Sequence, residues 1–106
     1  MNITVTARHV DITEAMRDHA QGKADWLAKH FDFLASIRIT LNVESKRHLA
    51  EIIATSRKGE TIVSTATSND MYASLDQVAD KAANQLRKFK ERIKSHRQGQ
   101  PEEGAP

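Results

Sequence analysis

The feature that most constrains the fold of this chain is a run of strictly alternating apolar and polar residues near its middle. Ile37, Ile39, Leu41 and Val43 alternate with polar residues between positions 38 and 44. A period of two places the apolar side chains on one face of a strand, so this segment is predicted to be a half-buried β-strand. A strand of this kind needs a second layer of structure to cover its apolar face.

Three further strands are predicted from the same kind of pattern. Residues 2–7 alternate between apolar and threonine positions, and residues 49–56 and 61–67 are rich in β-branched and small residues. Turns are expected at residues 45–48 and 57–60, the second of which contains Gly59. The last three strands are joined by short turns, which predicts that they pair in antiparallel fashion.

Two amphipathic helices are predicted, one before and one after the three consecutive strands in the chain. The first follows Asp11, Ile12, Thr13 and Glu14, which have the spacing of a capping box, and it extends to about Phe31. The second is predicted over about residues 71–95, with a cap among residues 68–70. Each helix has a single apolar stripe, roughly 120° wide in the first and roughly 100° in the second.

These elements predict an α+β fold, a β-α-β-β-β-α two-layer sandwich in which a four-stranded sheet carries two helices on one face. Residues 1–96 are expected to form one domain. Residues 97–106 include two glycines and both prolines, and they are expected to form a disordered tail. An edge strand, 2–7 or 61–67, could pair with a second copy, so self-association stays open.

Several kinds of functional site have no support in this sequence. Cysteine is absent, which excludes disulfides, thiolate metal sites and cysteine nucleophiles. The five histidines do not have metal-ligand spacing, and no phosphate-binding glycine loop or nucleophile turn is present. We therefore expect no catalytic residue, no metal, no cofactor and no enzymatic activity. The sequence predicts neither a leader nor an apolar run long enough to span a membrane, so a cytoplasmic location is expected.

The net charge of +2 is distributed very unevenly along the chain. Residues 1–80 contain 9 Lys and Arg against 11 Asp and Glu, a net charge of −2. Residues 81–97 contain 7 basic residues against Glu91, a net charge of +6, and the remaining nine residues carry −2. A concentrated basic segment on an acidic body favours a polyanionic partner, although a solvated helix face would have the same composition.

The basic residues of the last helix form two rows, one on each side of its apolar stripe. Lys81, Lys88 and Arg92 lie within about 40° of each other on one side, and Arg87, Lys90 and Lys94 lie within about 60° on the other. A membrane or a calmodulin-like groove would need an exposed apolar face, which this helix uses for its core. Nucleic acid needs only the cations, so it is the favoured partner.

Three other residues have two interpretations each. Lys23 lies inside the apolar arc of the first helix, either as a snorkelling side chain or as a cation held at the edge of the helix layer. Trp26 is either a core residue, which is the more frequent case, or a stacking platform for a base. Tyr72, which follows the helix cap Asp70 and the core residue Met71, either packs inside the protein or contacts RNA.

The chain resembles the ribosome hibernation-promoting factors, a family that includes the ribosome-associated inhibitor called protein Y. The resemblance covers about residues 1–96 and is carried by three segments. These are Arg8-His9-Val10-Asp11-Ile12-Thr13-Glu14-Ala15-Met16, Asp70-Met71-Tyr72-Ala73-Ser74-Leu75-Asp76, and Asp80-Lys81 followed by Gln85-Leu86-Arg87-Lys88 and Lys90.

This resemblance implies a fold related to double-stranded RNA-binding domains and a role in silencing ribosomes under stress or in stationary phase. It implies binding to the small ribosomal subunit, through 16S rRNA, in the channel used by mRNA and tRNA. Lys23, Lys81, Lys88 and Lys90 match basic positions of the family. Arg87, Arg92 and Lys94 extend the basic set, and Arg8 and Tyr72 are further candidates for contact with rRNA.

The sequence departs from the family in two positions and in length. Asn84 replaces an arginine found in many members, and Trp26 replaces a common lysine. Both changes lower the charge of the expected surface, and Arg87 and Lys94 are candidates to compensate for them. The chain has the length of a short-form member, which would inactivate single ribosomes or require a second hibernation factor to pair them.

Two other functions remain open from the sequence. The chain could be a general binder of structured or double-stranded RNA, which is recognised largely by its shape. It could also be a protein-interaction module whose basic helix meets an acidic partner. Equal affinity for a plain RNA duplex and for intact subunits would indicate the general RNA binder. Binding to an acidic protein that survives nuclease treatment would indicate the protein-interaction module.

Overall fold

The elements of the computed structural model follow the predicted order. The structure describes the backbone of residues 1–98 and the side chains of residues 1–93. It contains β1 (Asn2–Arg8), α1 (Glu14–His30), β2 (Leu34–Glu44), β3 (Arg47–Ser56), β4 (Thr61–Ser68) and α2 (Met71–Gln98). The β-α-β-β-β-α arrangement is thus confirmed.

The four strands form one mixed sheet in the order β1-β2-β3-β4. β2, β3 and β4 pair in antiparallel fashion, as their short turns predict. β1 pairs with β2 in parallel, because the chain crosses over through α1 between these two strands. β1 and β4 are therefore the two edges of the sheet.

Successive side chains of each strand point to opposite faces of the sheet, which gives the sheet a covered face and an open face. Val5, Ile39, Ile52 and Ser64 are in register across all four strands and belong to the face under the helices. The residues that adjoin these four along the strands belong to the opposite face, which neither α1 nor α2 covers. The two-layer architecture is therefore confirmed, with both helices on the same side of the sheet.

The hydrophobic core lies between the sheet and the two helices. α1 contributes Ala20, Ala24 and Leu27 to it, and all three are fully buried. α2 contributes a longer stripe, and the sheet adds Ile37, Ile39, Leu41 and Ile52. Full burial of a leucine or isoleucine side chain stabilises a fold by roughly 1.5–3 kcal/mol. The buried stripe of α2 comprises Met71, Leu75, Val78, Ala79, Ala82, Ala83, Leu86 and Phe89.

The predicted start of α1 at a capping box on Asp11 is wrong. The N-cap is Thr13, whose side chain accepts a hydrogen bond of 3.1 Å from the backbone N–H of Met16. A capping box requires a glutamate or glutamine three residues after the N-cap, and Met16 occupies that position. The helix therefore begins at Glu14, two residues later than Ile12, the first helical position that a cap on Asp11 would give.

The hairpin between β2 and β3 is tighter than the predicted four-residue turn at residues 45–48. Ser45 and Lys46 both have positive φ angles, 49° and 68°. Two consecutive residues of this kind form a type I′ turn, whose twist matches that of the flanking strands. As a result β3 begins at Arg47, two residues earlier than predicted.

The second helix has the predicted cap and a longer course. The carboxylate of Asp70 accepts a hydrogen bond of 3.1 Å from the backbone N–H of Ala73, and Met71 is buried, as predicted. The helix continues to Gln98, beyond the predicted end at residue 95, because Arg97 and Gln98 are both good helix formers. The rest of the predicted tail lies outside the described residues.

Candidate nucleic-acid interface

The first basic row of α2 runs beside β4, the outer edge of the sheet. The ammonium group of Lys81 donates a hydrogen bond of 2.9 Å to the backbone carbonyl of Thr65 in β4. One turn later, the side-chain amide of Gln85 donates a hydrogen bond of 3.1 Å to the hydroxyl of Ser64. This side of α2 is therefore fixed to the edge strand by side-chain contacts.

Lys88 and Arg92 continue the same row toward the C-terminal half of α2, and both are exposed. Lys88 follows Lys81 by seven residues, which is two helical turns and about 10 Å along the axis. The guanidinium carbon of Arg92 lies 5.7 Å from the centre of the Phe89 ring. This cation–π contact holds the charge of Arg92 close to the helix surface.

The second basic row lies on the opposite side of α2, toward α1. Arg87 and Lys90 are exposed there, and Arg87 donates a hydrogen bond of 2.7 Å to the side-chain oxygen of Asn84. Asn84 therefore orients the neighbouring arginine. The side chain of Lys94, the third predicted member of this row, lies outside the described residues.

Lys23 lies at the junction of the two helices. Its ammonium group is 3.1 Å from a carboxylate oxygen of Asp76 in α2, and the same oxygen is 2.8 Å from Nε2 of His19. The hydrogen bonds from His19 and then from Lys23 lower the pKa of Asp76. Of its two interpretations, the structure supports a cation held between the helices, where part of its charge is balanced by Asp76.

Tyr72 and Arg8 are placed apart from the basic rows. Tyr72 is half-buried and contacts His19 edge to face, with the ring centres 5.2 Å apart. Arg8 is exposed at the end of β1, one position after the inward-facing Ala7, and therefore lies on the open face of the sheet. The structure does not bring Arg8 together with the cations of α2.

Trp26 is an exposed residue, so the more frequent interpretation, a core residue, does not hold. Its exposed fraction is 43%, and its indole stacks on the imidazole of His30 with centres 4.0 Å apart. A signal was present in the sequence. Successive helical residues are separated by 100° around the helix axis, and at this spacing Trp26, the neighbour of Leu27, lies outside the apolar stripe of α1.

The described part of the chain shows neither of two other kinds of site. Its side chains contain no group of three or more histidine, aspartate and glutamate residues arranged to hold a metal ion. Over the same residues, neither helix combines the length and the hydropathy that crossing a membrane requires.

Comparison with known proteins identifies the family. The model of the family described as sigma 54 modulation protein / S30EA ribosomal protein matches residues 3–94. The chain belongs to this family. A ribosome hibernation promoting factor from Azotobacter vinelandii is 35% identical, and the match covers 100% of this chain and 98% of the relative.

Two solved structures have the same fold. A ribosomal subunit interface protein from Coxiella burnetii matches with a TM-score of 0.78 and 29% identity, covering 85% of this chain and 98% of that one. The N-terminal domain of Thermus thermophilus protein Y matches with a TM-score of 0.73 and 26% identity, covering 84% and 99%. The resemblance seen in the sequence is therefore confirmed at the level of the family.

Proposed function

We propose that this protein is a non-enzymatic ribosome hibernation factor that binds the small ribosomal subunit through 16S rRNA and inhibits translation in the cytoplasm. The observation that carries the proposal is the arrangement of α2, whose apolar stripe is buried against the sheet while cations line both of its sides. The names of its relatives, ribosome hibernation promoting factor and ribosomal subunit interface protein, support the same role.

The burial of the apolar stripe favours rRNA over the other polyanionic partners. Leu75, Val78 and Leu86 are fully buried, so the apolar stripe of α2 is not available to enter a membrane or a hydrophobic groove. Lysine and arginine side chains bind phosphates without apolar contact, because they release condensed counterions from the nucleic acid. Lys88, Lys90 and Arg92 are exposed and available for such contacts.

Inhibition by occupancy requires no covalent chemistry. A folded domain bound in the channel used by mRNA and tRNA excludes both ligands by its volume, and the cations of α2 hold it there through the rRNA backbone. Pairing of ribosomes would require a second hibernation factor or a contact between copies of this chain, and β1 offers an edge for such a contact.

The proposal is tested by sedimentation of the purified protein with small ribosomal subunits over a range of salt concentrations. We expect it to sediment with the subunits at low salt and to be released steeply as salt rises. The double variant Lys88→Glu, Arg92→Glu should lose binding. Its matched control is Arg38→Glu, Lys46→Glu, which makes the same charge change at two exposed positions away from α2.

Three results would contradict the proposal. One is a protein that stays in the free fraction at low salt, and another is equal binding by the two double variants. The third is equal affinity for a plain RNA duplex and for intact subunits, which would instead identify a general binder of double-stranded RNA. Circular dichroism of each variant establishes that the fold is retained.

A further inference from the structure

We propose that the groove between α1 and α2 binds an unpaired nucleobase of rRNA, which stacks on Trp26. This inference rests on the proposed function and adds to it a site and a ligand class. The groove has a volume of about 430 Å³ and is lined by residues of both helices, including Trp26 from α1 and Asp80 from α2.

The indole of Trp26 is stacked on the imidazole of His30. The imidazole lies 4.0 Å from the indole, centre to centre, at an angle of 25° between the rings. Nδ1 of His30 is 2.9 Å from the backbone carbonyl of Trp26, and because a carbonyl only accepts, Nδ1 donates this bond. The histidine therefore covers one face of the indole and cannot rotate away without losing a hydrogen bond.

Two small residues leave space for a flat aromatic ligand in the groove beside Trp26. Gly22 lies one turn before Trp26 in α1, and Ala79 lies opposite in α2. A Cβ atom placed on Gly22 would have no other atom within 4 Å, so the space next to this glycine is open. Stacking on an exposed aromatic side chain is how proteins hold unpaired bases.

The charges of the groove select a base rather than a phosphate. Asp18 and Asp80 line the groove and are exposed, and their carboxylates repel a phosphate group. The same carboxylates can accept hydrogen bonds from the exocyclic amino group of adenine, cytosine or guanine. Lys23, the cation that lines the groove, is engaged by Asp76.

The phosphates that flank the stacked base have cations within reach. Arg87 follows Asp80 by two turns on the same side of α2, about 10 Å along the helix axis. Lys90 lies on the same side and is also exposed. The second basic row therefore begins beyond the end of the groove. One strand of RNA can place its base on Trp26 and its backbone along α2.

The test uses the intrinsic fluorescence of the full chain, because Trp26 is its only tryptophan. Titration with small ribosomal subunits should quench and shift the Trp26 emission. Trp26→Ala should weaken binding by about 5- to 150-fold, the range found for removal of one base–aromatic stack. Trp26→Phe should keep most of the affinity and Trp26→Leu should not, since leucine retains apolar bulk without an aromatic face.

Val63→Ala is the matched control, because Val63 is a similarly exposed apolar residue, 49%, on the open face of the sheet. It should bind like the wild type, and thermal unfolding should show that every variant is folded. Ultraviolet cross-linking with mass spectrometry then identifies what lies on Trp26, and an adduct with a ribonucleotide supports the proposal.

Two results would overturn this site while leaving the proposed function intact. One is wild-type binding with unchanged Trp26 emission and equal affinity for Trp26→Ala. The other is a cross-link from Trp26 to a ribosomal protein. If the wild-type protein does not bind subunits at all, the proposed function fails first and the base site fails with it.

Discussion

The ammonium group of Lys81 donates a hydrogen bond to the backbone carbonyl of Thr65, at 2.9 Å. Thr65 lies in β4, an edge strand, so this carbonyl has no neighbouring strand on its outer side. Lysine side chains over an edge are one way in which proteins prevent unwanted strand pairing. An ammonium group has three donors, so Lys81 can hold the edge and still contact a phosphate.

Lys81→Met is expected to destabilise the fold, whereas Lys88→Met is not. Both substitutions remove an exposed lysine of the same row, but the first also removes the hydrogen bond to Thr65. We expect the free energy of unfolding to fall by about 0.5–1.5 kcal/mol for Lys81→Met and to change by no more than about 0.5 kcal/mol for Lys88→Met. Urea unfolding measures both, and equal values would show that the bond contributes nothing.

The salt dependence of subunit binding should report the number of α2 cations at the rRNA. Each cation that binds a phosphate adds roughly 0.7–0.9 to the slope of log affinity against log salt. Lys88→Met and Arg92→Met should each reduce the absolute value of that slope by about 1, and the double variant should reduce it by about 2. Arg38→Met, on the open face of the sheet, should leave the slope unchanged. An equal reduction for Arg38→Met would show that the open face of the sheet also binds RNA, which contradicts binding through α2.

The pKa of Asp76 leads to a prediction about acid stability. The hydrogen bonds from His19 and Lys23 lower this pKa below its ordinary value of 3.8, so the folded state favours the carboxylate. The stabilisation is complete above the ordinary value and is lost as pH falls through the lowered one. Asp76→Asn should therefore reduce the free energy of unfolding at about pH 6, by about 0.5 kcal/mol because the pair is exposed.

The difference between Asp76→Asn and the wild type should shrink as the pH is lowered below 3.8, the ordinary pKa of this carboxyl. Asp80→Asn, one turn further along α2, is the control for loss of a carboxylate at an exposed position. Urea unfolding at several pH values gives the comparison. A difference that grows on acidification would mean that the charge of Asp76 opposes folding.

Two glycines should respond to alanine in opposite directions. Gly22 lies inside α1 with open space around it, so Gly22→Ala should stabilise the protein by about 0.5–1 kcal/mol through helix propensity. Gly59 has a φ angle of +101° in the turn between β3 and β4, where an L-residue is strained. Gly59→Ala should destabilise it by about 1–2 kcal/mol, and a shift of the same sign for both would contradict these assignments.

The sequence by itself determined the elements and the faces they bury. The alternation from Ile37 to Val43 and the stripe from Leu75 to Phe89 are local patterns, and each depends only on the geometry of a strand or a helix. The family resemblance was likewise readable from the segment that begins at Asp70. Element ends were less certain, as Thr13 and the Ser45–Lys46 turn show, because caps and turns depend on single hydrogen bonds and φ angles.

The tertiary structure decided which distant residues meet. Nothing in the local pattern indicates that Lys23 pairs with Asp76, 53 positions later, or that Lys81 reaches Thr65. These contacts arise because the apolar faces of α1 and α2 must cover the same sheet, which sets the two helices side by side. Burial of that common core leaves Trp26 exposed, and the packing of the two helices against the same sheet places it in a groove with Ala79 and Asp80 of α2.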